Sequence, residues 1–117
     1  MVVVGRTTMA YDEELADRVR ALLEDEPGWA EKKMFGRLVF LLDGNMAVGV
    51  SGEALMVRLP ADEGEDALAE PGARPADMAG RPMKGWLLVD PPGLEKAEDL
   101  RRWVGRGAAF ARTFPPK

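Results

Sequence analysis

The run Arg37-Leu38-Val39-Phe40-Leu41-Leu42 sets the tightest constraint on this chain. It is short and bulky and is followed by Asp43-Gly44-Asn45, which predicts a β-strand entering a hairpin. Strand side chains alternate between faces, so Leu38, Phe40 and Leu42 share one face while Val39 and Leu41 share the other. Residues 84–89, Lys-Gly-Trp-Leu-Leu-Val, repeat the pattern, with Trp86 and Leu88 opposite Leu87 and Val89. A sheet with one wet face alternates apolar with polar residues, and these strands do not. The helices of a small domain cover one sheet face well. The second face then needs either an identical subunit, giving a homodimer, or long side chains and the loops near residues 70–84.

The remaining elements follow from periodicity and punctuation. A helix is predicted from Tyr11, with Asp12 as its cap, Glu13 and Glu14 in its first turn, and Leu15, Val19, Leu22 and Leu23 on one stripe. Pro27-Gly28 stops it. Met46 to Val50 is the return strand of the hairpin and Ala54 to Leu59 a third strand, so residues 32–59 read as a three-stranded meander. Gly36 and Gly49 mark a bulge or a close backbone approach. A short helix fits Asp62 to Glu70, a weak strand Ala76 to Ala79, and a strong strand residues 84–89. A last helix runs from about Leu94 or Glu95 to Arg112 on the stripe Ala97, Leu100, Trp103, Val104, Ala108, Ala111. Gly105 and Gly107 each cost that helix about 1 kcal/mol relative to Ala, which predicts close packing around them. The order is α-β-β-β-α-β-β-α, a two-layer α+β domain with helices on an antiparallel sheet.

With 117 residues, 46% of them apolar and 31% charged, the chain suits one folded domain. Residues 9–117 are expected to form it, and residues 1–8 to be an extension ahead of Met9 or a short extra strand. No apolar run approaches the roughly 20 residues of a membrane-spanning helix, and no secretory signal opens the chain, so the expected location is the cytoplasm. The sequence contains neither Cys nor His. That excludes disulfides, thiol nucleophiles, imidazole bases and thiolate or imidazole metal sites. No phosphate-binding glycine loop or nucleophile elbow is present, and the acidic pairs Asp25/Glu26 and Asp62/Glu63 are adjacent, not facing. The expectation is a non-enzyme with no catalytic residue, cofactor or metal.

Charge is unevenly distributed. The whole chain carries −4. Tyr11 to Glu31 holds eight acids against two bases, whereas Leu100 to Lys117 holds five bases and no acid. Arg101, Arg102, Arg106 and Arg112 are therefore candidates for nucleic-acid contact. The plainer reading has them favour a helix C-terminus or pair with the acidic first helix. Lys33, Arg37, Arg58 and Lys84 flank the strands, either as ordinary surface cations or meeting at one sheet end to hold an anion or a partner's carboxylate. Met34, Met46, Met56, Met78 and Met83 lie in or beside strands, where Met fills core gaps and, less often, makes adaptable contact surfaces.

Four segments in order, Lys33-Met34-Phe35-Gly36, Gly44-Asn45-Met46, Leu55-Met56-Val57-Arg58 and Arg81-Pro82-Met83-Lys84-Gly85, resemble the N-terminal domain of the TfoX (Sxy) family over about residues 9–115. Arg37 departs from the pattern, standing where the family commonly has a second glycine and close backbone approach. The resemblance implies an α+β domain. It also implies kinship with a positive regulator of natural competence genes that acts with the cyclic-AMP receptor protein. Full-length regulators add a C-terminal helical domain, which this sequence, ending Phe114-Pro115-Pro116-Lys117, does not include. No catalytic residue carries over. The expected role is a regulatory or interaction module binding a protein partner, with the transcription machinery as a candidate, through Lys33, Phe35, Arg37, Arg58, Lys84 and Trp86. Direct DNA binding through the basic C-terminal helix, or a small enzyme of unknown chemistry, are the alternatives.

Overall fold

Asp12 opens the first helix, α1 (Glu13–Leu23), by accepting hydrogen bonds on Oδ1 from the backbone N–H groups of Glu14 at 2.8 Å and Leu15 at 3.3 Å. These satisfy two of the four donors a helix start leaves unpaired. The computed structural model describes residues 11–34, 36–78 and 81–117. The expected extension at 1–8, Phe35 and Ala79 lie outside them. After α1 come β1 (Trp29–Met34), β2 (Arg37–Leu42), β3 (Asn45–Ser51), β4 (Ala54–Arg58), α2 (Ala61–Ala67), β5 (Ala73–Met78), β6 (Arg81–Val89), a 3₁₀ turn at Pro91–Gly93, and α3 (Ala97–Ala111). Among the described residues no helix is long and apolar enough to cross a membrane.

The six strands form one antiparallel sheet in the order β1-β2-β3-β4-β6-β5. This is the α+β architecture read from the sequence, with one strand added. β1, Trp-Ala-Glu-Lys-Lys-Met, leaves four of its six residues exposed at the sheet edge, so no apolar alternation announces it. Its charged residues suit an edge, where they discourage pairing with other chains. β5 and β6 each begin three residues earlier than periodicity indicates. Pro75 and Pro82 interrupt their patterns, and β5, as the opposite edge strand, tolerates a missing donor. Asp43 and Gly44 turn the β2–β3 hairpin with φ of 51° and 84°, the paired left-handed conformation an Asp-Gly hairpin adopts.

Helices occupy one side of the sheet. Leu15, Val19 and Leu23 of α1 and Leu100, Trp103 and Val104 of α3 pack on Leu38, Phe40, Val48, Val50, Leu55, Val57, Leu87 and Val89. Trp103 is 1% exposed. Burying one large apolar side chain contributes on the order of 1.5–3 kcal/mol. Arg20 of α1 reaches the sheet edge, donating to both carboxylate oxygens of Glu31 at 2.6 and 2.8 Å and to Asp17 at 2.6 Å. The hydrogen bonds from Arg20 hold the Glu31 carboxyl below its ordinary pKa, against a smaller opposing effect of desolvation.

A β-bulge explains how α3 fits. Phe40 pairs with Val48 and Leu41 with Met46, leaving Ala47 over. Ala47 joins Leu42 and Ala111 in a second small core, and Gly107 lies against it. A Cβ at Gly107 would overlap the Ala47 carbonyl oxygen and stand 2.8 Å from Val48 Cγ1. Gly105, two residues away, is exposed with nothing within 4 Å of a Cβ. Close packing therefore accounts for one of the two helical glycines. The bulge falls at Ala47, not at Gly36, which lies in the β1–β2 turn, or at Gly49, which makes a close approach to the Leu38 carbonyl.

Candidate binding site

Strand parity assigns the opposite face of the sheet before any side chain is considered. With Leu38 and Phe40 on the helices, Arg37, Val39 and Leu41 must face away, as must Met56 and Arg58 opposite Leu55 and Val57, and Trp86 opposite Leu87. Cross-strand register lines them up: Lys32, Val39, Gly49, Met56 and Leu88 form one row across five strands. Gly49 contributes no side chain at the middle of that row. The Met56 and Met46 methyl groups lie 3.4 and 3.8 Å from where its Cβ would stand.

The result is a cleft of about 330 Å³ on the helix-free face. Its apolar lining is Met34, Val39, Leu41, Met46, Met56 and Trp86. Arg37, Arg58 and Lys117 are its basic residues, and Gly44 and Asn45 complete the lining. Three other depressions measure about 160, 190 and 250 Å³. Val39 and Met56 are each only 5% exposed, so part of this face is covered within the single chain.

No Asp or Glu side chain lines the cleft. Arg37 Nε donates to Ser51 Oγ at 3.0 Å, and no described carboxylate pairs with Arg37 or Arg58. Arg58 is held instead by rings. Its guanidinium carbon lies 5.3 Å from the Trp86 ring centroid, 5.4 Å from that of Phe110 and 4.9 Å from that of Phe114. Phe110 and Phe114 themselves meet edge to face at 5.0 Å and 71°. Cation–π attraction fixes the face of a guanidinium and leaves its in-plane N–H donors available. Trp86 comes from the strand paired with Arg58, and the two phenylalanines come from the end of α3 and the residues after it.

The segment following α3 is tied to the same end of the sheet. Asn45 Nδ2 donates to the Pro115 carbonyl at 2.9 Å, and the Lys117 N–H donates to the Asp43 carbonyl at 2.8 Å. That brings Lys117 to the cleft although it is 59 residues beyond Arg58 in the sequence, by their numbers.

Of the residues singled out from sequence, Arg37, Arg58 and Trp86 come together in this cleft. Lys33 pairs opposite Leu38, which puts it on the helix side of the edge strand. Lys84 is exposed and lines a separate depression with Gly64, Glu65 and Leu68. The four strand-flanking cations therefore do not meet at one place. Three methionines, Met34, Met46 and Met56, line the cleft on the helix-free face. Phe110, Phe114 and Lys117 were not expected here. The i, i+4 spacing of the two phenylalanines was the available signal, with Phe110 two helical turns after Trp103 at the edge of the apolar stripe.

The basic C-terminal region is largely neutralised within the chain. Arg102 meets Glu70 at 2.6 Å, and Arg106 meets Glu70 at 3.1 Å and Glu63 at 4.0 Å. Arg112 meets Asp43 at 2.9 Å and Glu26 at 3.2 Å and also donates to the Pro27 carbonyl at 2.8 Å. Arg101 is exposed and pairs with no described carboxylate. Among the described residues no three acidic groups gather closely enough to hold a metal ion.

No curated relative and no solved structure matches the chain. A family model of the TfoX N-terminal domain matches residues 21–111, a span containing both core helix α3 and every strand of the cleft, and the chain belongs to that family.

Proposed function

We propose that this domain is a regulatory or interaction module that works by binding, not by bond-making, and that its protein partner offers an acidic and apolar surface to the helix-free sheet face. One observation carries the reading: an apolar cleft lined by three basic residues and no Asp or Glu, in a chain whose acids outnumber its bases. The cleft can attract and orient an anion. The family is not a known family of enzymes, and its competence regulator makes transcription control the setting in which we place the module.

A second copy of the chain fits this face less well. In a twofold interface the same patch meets itself, which would set three cations against three more. Nucleic acid is also a poorer fit, because Arg102, Arg106 and Arg112 already hold carboxylates.

The test is photo-crosslinking in the native cytoplasm from a probe at Leu41, with Arg58→Gln as the comparison. We expect one protein partner to be cross-linked through an acidic segment, and the cross-link to be lost with Arg58→Gln. A cross-link only to a second copy, or one indifferent to Arg58, overturns the reading. A light-scattering mass of one chain in solution is the companion result.

A further inference from the structure

The cleft has properties that a flat docking face does not require. Its volume of about 330 Å³ lies at the small end of the range for ligand pockets, about 300–1,000 Å³. At roughly 30 Å³ for each water-sized group, it has room for about ten non-hydrogen atoms. Its walls adapt, since thioether side chains repack around irregular shapes. Its charge is already in place: three rings hold Arg58 before any ligand arrives, so little side-chain freedom is lost on binding.

We infer that the cleft is a receptor site for a small amphipathic carboxylate, a free molecule with one anionic head and an apolar body. Arg58 receives the head, assisted by Arg37, and the body lies against Val39, Leu41 and Met46. The inference rests on the cleft being the binding site proposed above and adds that a diffusible molecule occupies it. Ligand and protein partner then compete for Arg58, and the module responds to the concentration of the ligand. Phe110 and Phe114 are positioning residues, because they touch the guanidinium and do not line the cleft.

Octanoate, with ten non-hydrogen atoms, is the probe, and 1-octanol is its uncharged counterpart. Titration of the full chain is followed by calorimetry and by the methyl resonances of Met46 and Met56. We expect saturable octanoate binding with Kd of about 1 mM or tighter. The alcohol, and octanoate with Arg58→Gln, should each bind about tenfold more weakly, the loss of a charge-assisted hydrogen bond. Met46→Trp, which fills the cleft without changing its charge, should abolish binding, and the dispersion of the remaining methyl signals checks that it folds. Phe114→Leu should weaken octanoate and leave octanol binding unchanged, a split that a merely structural role would not produce.

Equal affinity for acid and alcohol overturns the inference, as does unchanged affinity with Arg58→Gln or no shift at either methyl. The two readings fail separately. An Arg58-dependent partner cross-link without octanoate binding removes the small-molecule site and leaves the partner. Octanoate binding without any such cross-link does the reverse.

Discussion

Alanine at Gly105 and at Gly107 should change stability in opposite directions, although the two positions stand two residues apart on one helix. Helix propensity favours Ala over Gly by about 1 kcal/mol at either. At Gly105 nothing opposes this, because the position is exposed and a Cβ meets no atom within 4 Å. Gly105→Ala should therefore stabilise the domain by about 0.5–1 kcal/mol. At Gly107 the new Cβ overlaps the carbonyl of Ala47 and crowds Val48 Cγ1 at 2.8 Å. A carbonyl in a bulged central strand cannot swing aside as a side chain can, so the penalty belongs at the upper end of overpacking costs, about 3 kcal/mol. Subtracting the propensity gain leaves Gly107→Ala about 2 kcal/mol less stable than the wild type. The variants should differ by about 3 kcal/mol, more than a hundredfold in unfolding constant. Urea unfolding followed by circular dichroism reads both, with similar m-values showing that the unfolding transition is the same. Gly107→Ala at or above wild-type stability would refute the packing of α3 on the bulge, and with it the placement of Phe110 and Phe114 beside Arg58.

Asp12→Ala removes the side-chain cap of α1 and should cost about 1 kcal/mol in the same assay. Asn45 is 7% exposed and anchors the Pro115 carbonyl. Asn45→Ala should destabilise by about 1 kcal/mol and speed amide exchange at Lys117, whose N–H is bonded to Asp43. The Arg20–Glu31 pair lies at the surface, so Glu31→Gln should cost under about 1 kcal/mol at pH 7. Because the folded carboxyl titrates below its ordinary value of 4.5, that contribution is present above this pH. The gap between variant and wild type should close as the pH falls through the lower, folded-state pKa. Parallel stability curves from pH 7 to pH 3 would contradict this account of the pair.

Parity arguments made much of this fold legible before the structure. Val39 and Leu41 alternate with Leu38 and Phe40, and Trp86 alternates with Leu87. The helix-covered face and the opposite face could both be written down from those residues. β1 could not, because an edge strand such as Trp-Ala-Glu-Lys-Lys-Met is stabilised by backbone pairing on one side and carries no periodic apolar signal. Arg58 and Arg37 were identifiable as strand-flanking cations, but what holds Arg58 was not. Its rings come from the paired strand, from the last turn of α3 and from the residues after it, and only tertiary packing brings those together. The bulge at Ala47 is equally silent, since one extra residue in a strand leaves composition unchanged while redirecting everything beyond it.

The layout of charge gives the acid excess of this chain a role that a net value conceals. With twenty acids available to sixteen bases, neutralisation is the expected fate of a surface arginine, and Arg20, Arg102, Arg106 and Arg112 meet it. Arg37 and Arg58 do not. They sit on the one face whose lining is otherwise apolar, and no acidic helix is folded over them. Beyond a Debye length of about 8 Å at physiological salt, the remaining −4 is screened and gives an approaching anion little direction. Within that distance, acids on the rest of the surface repel the anion, while the cleft attracts it and, being low in polarity, weakens its own charge less than water does. On the proposed reading, an acidic group finds two guanidiniums without a described carboxylate partner side by side in this cleft, whereas Arg20, Arg102, Arg106 and Arg112 already hold theirs. Specificity of this kind needs no large interface, only a cation kept from pairing with the chain's own carboxylates. Three aromatic rings accomplish that for Arg58, because they hold the guanidinium without supplying a negative charge.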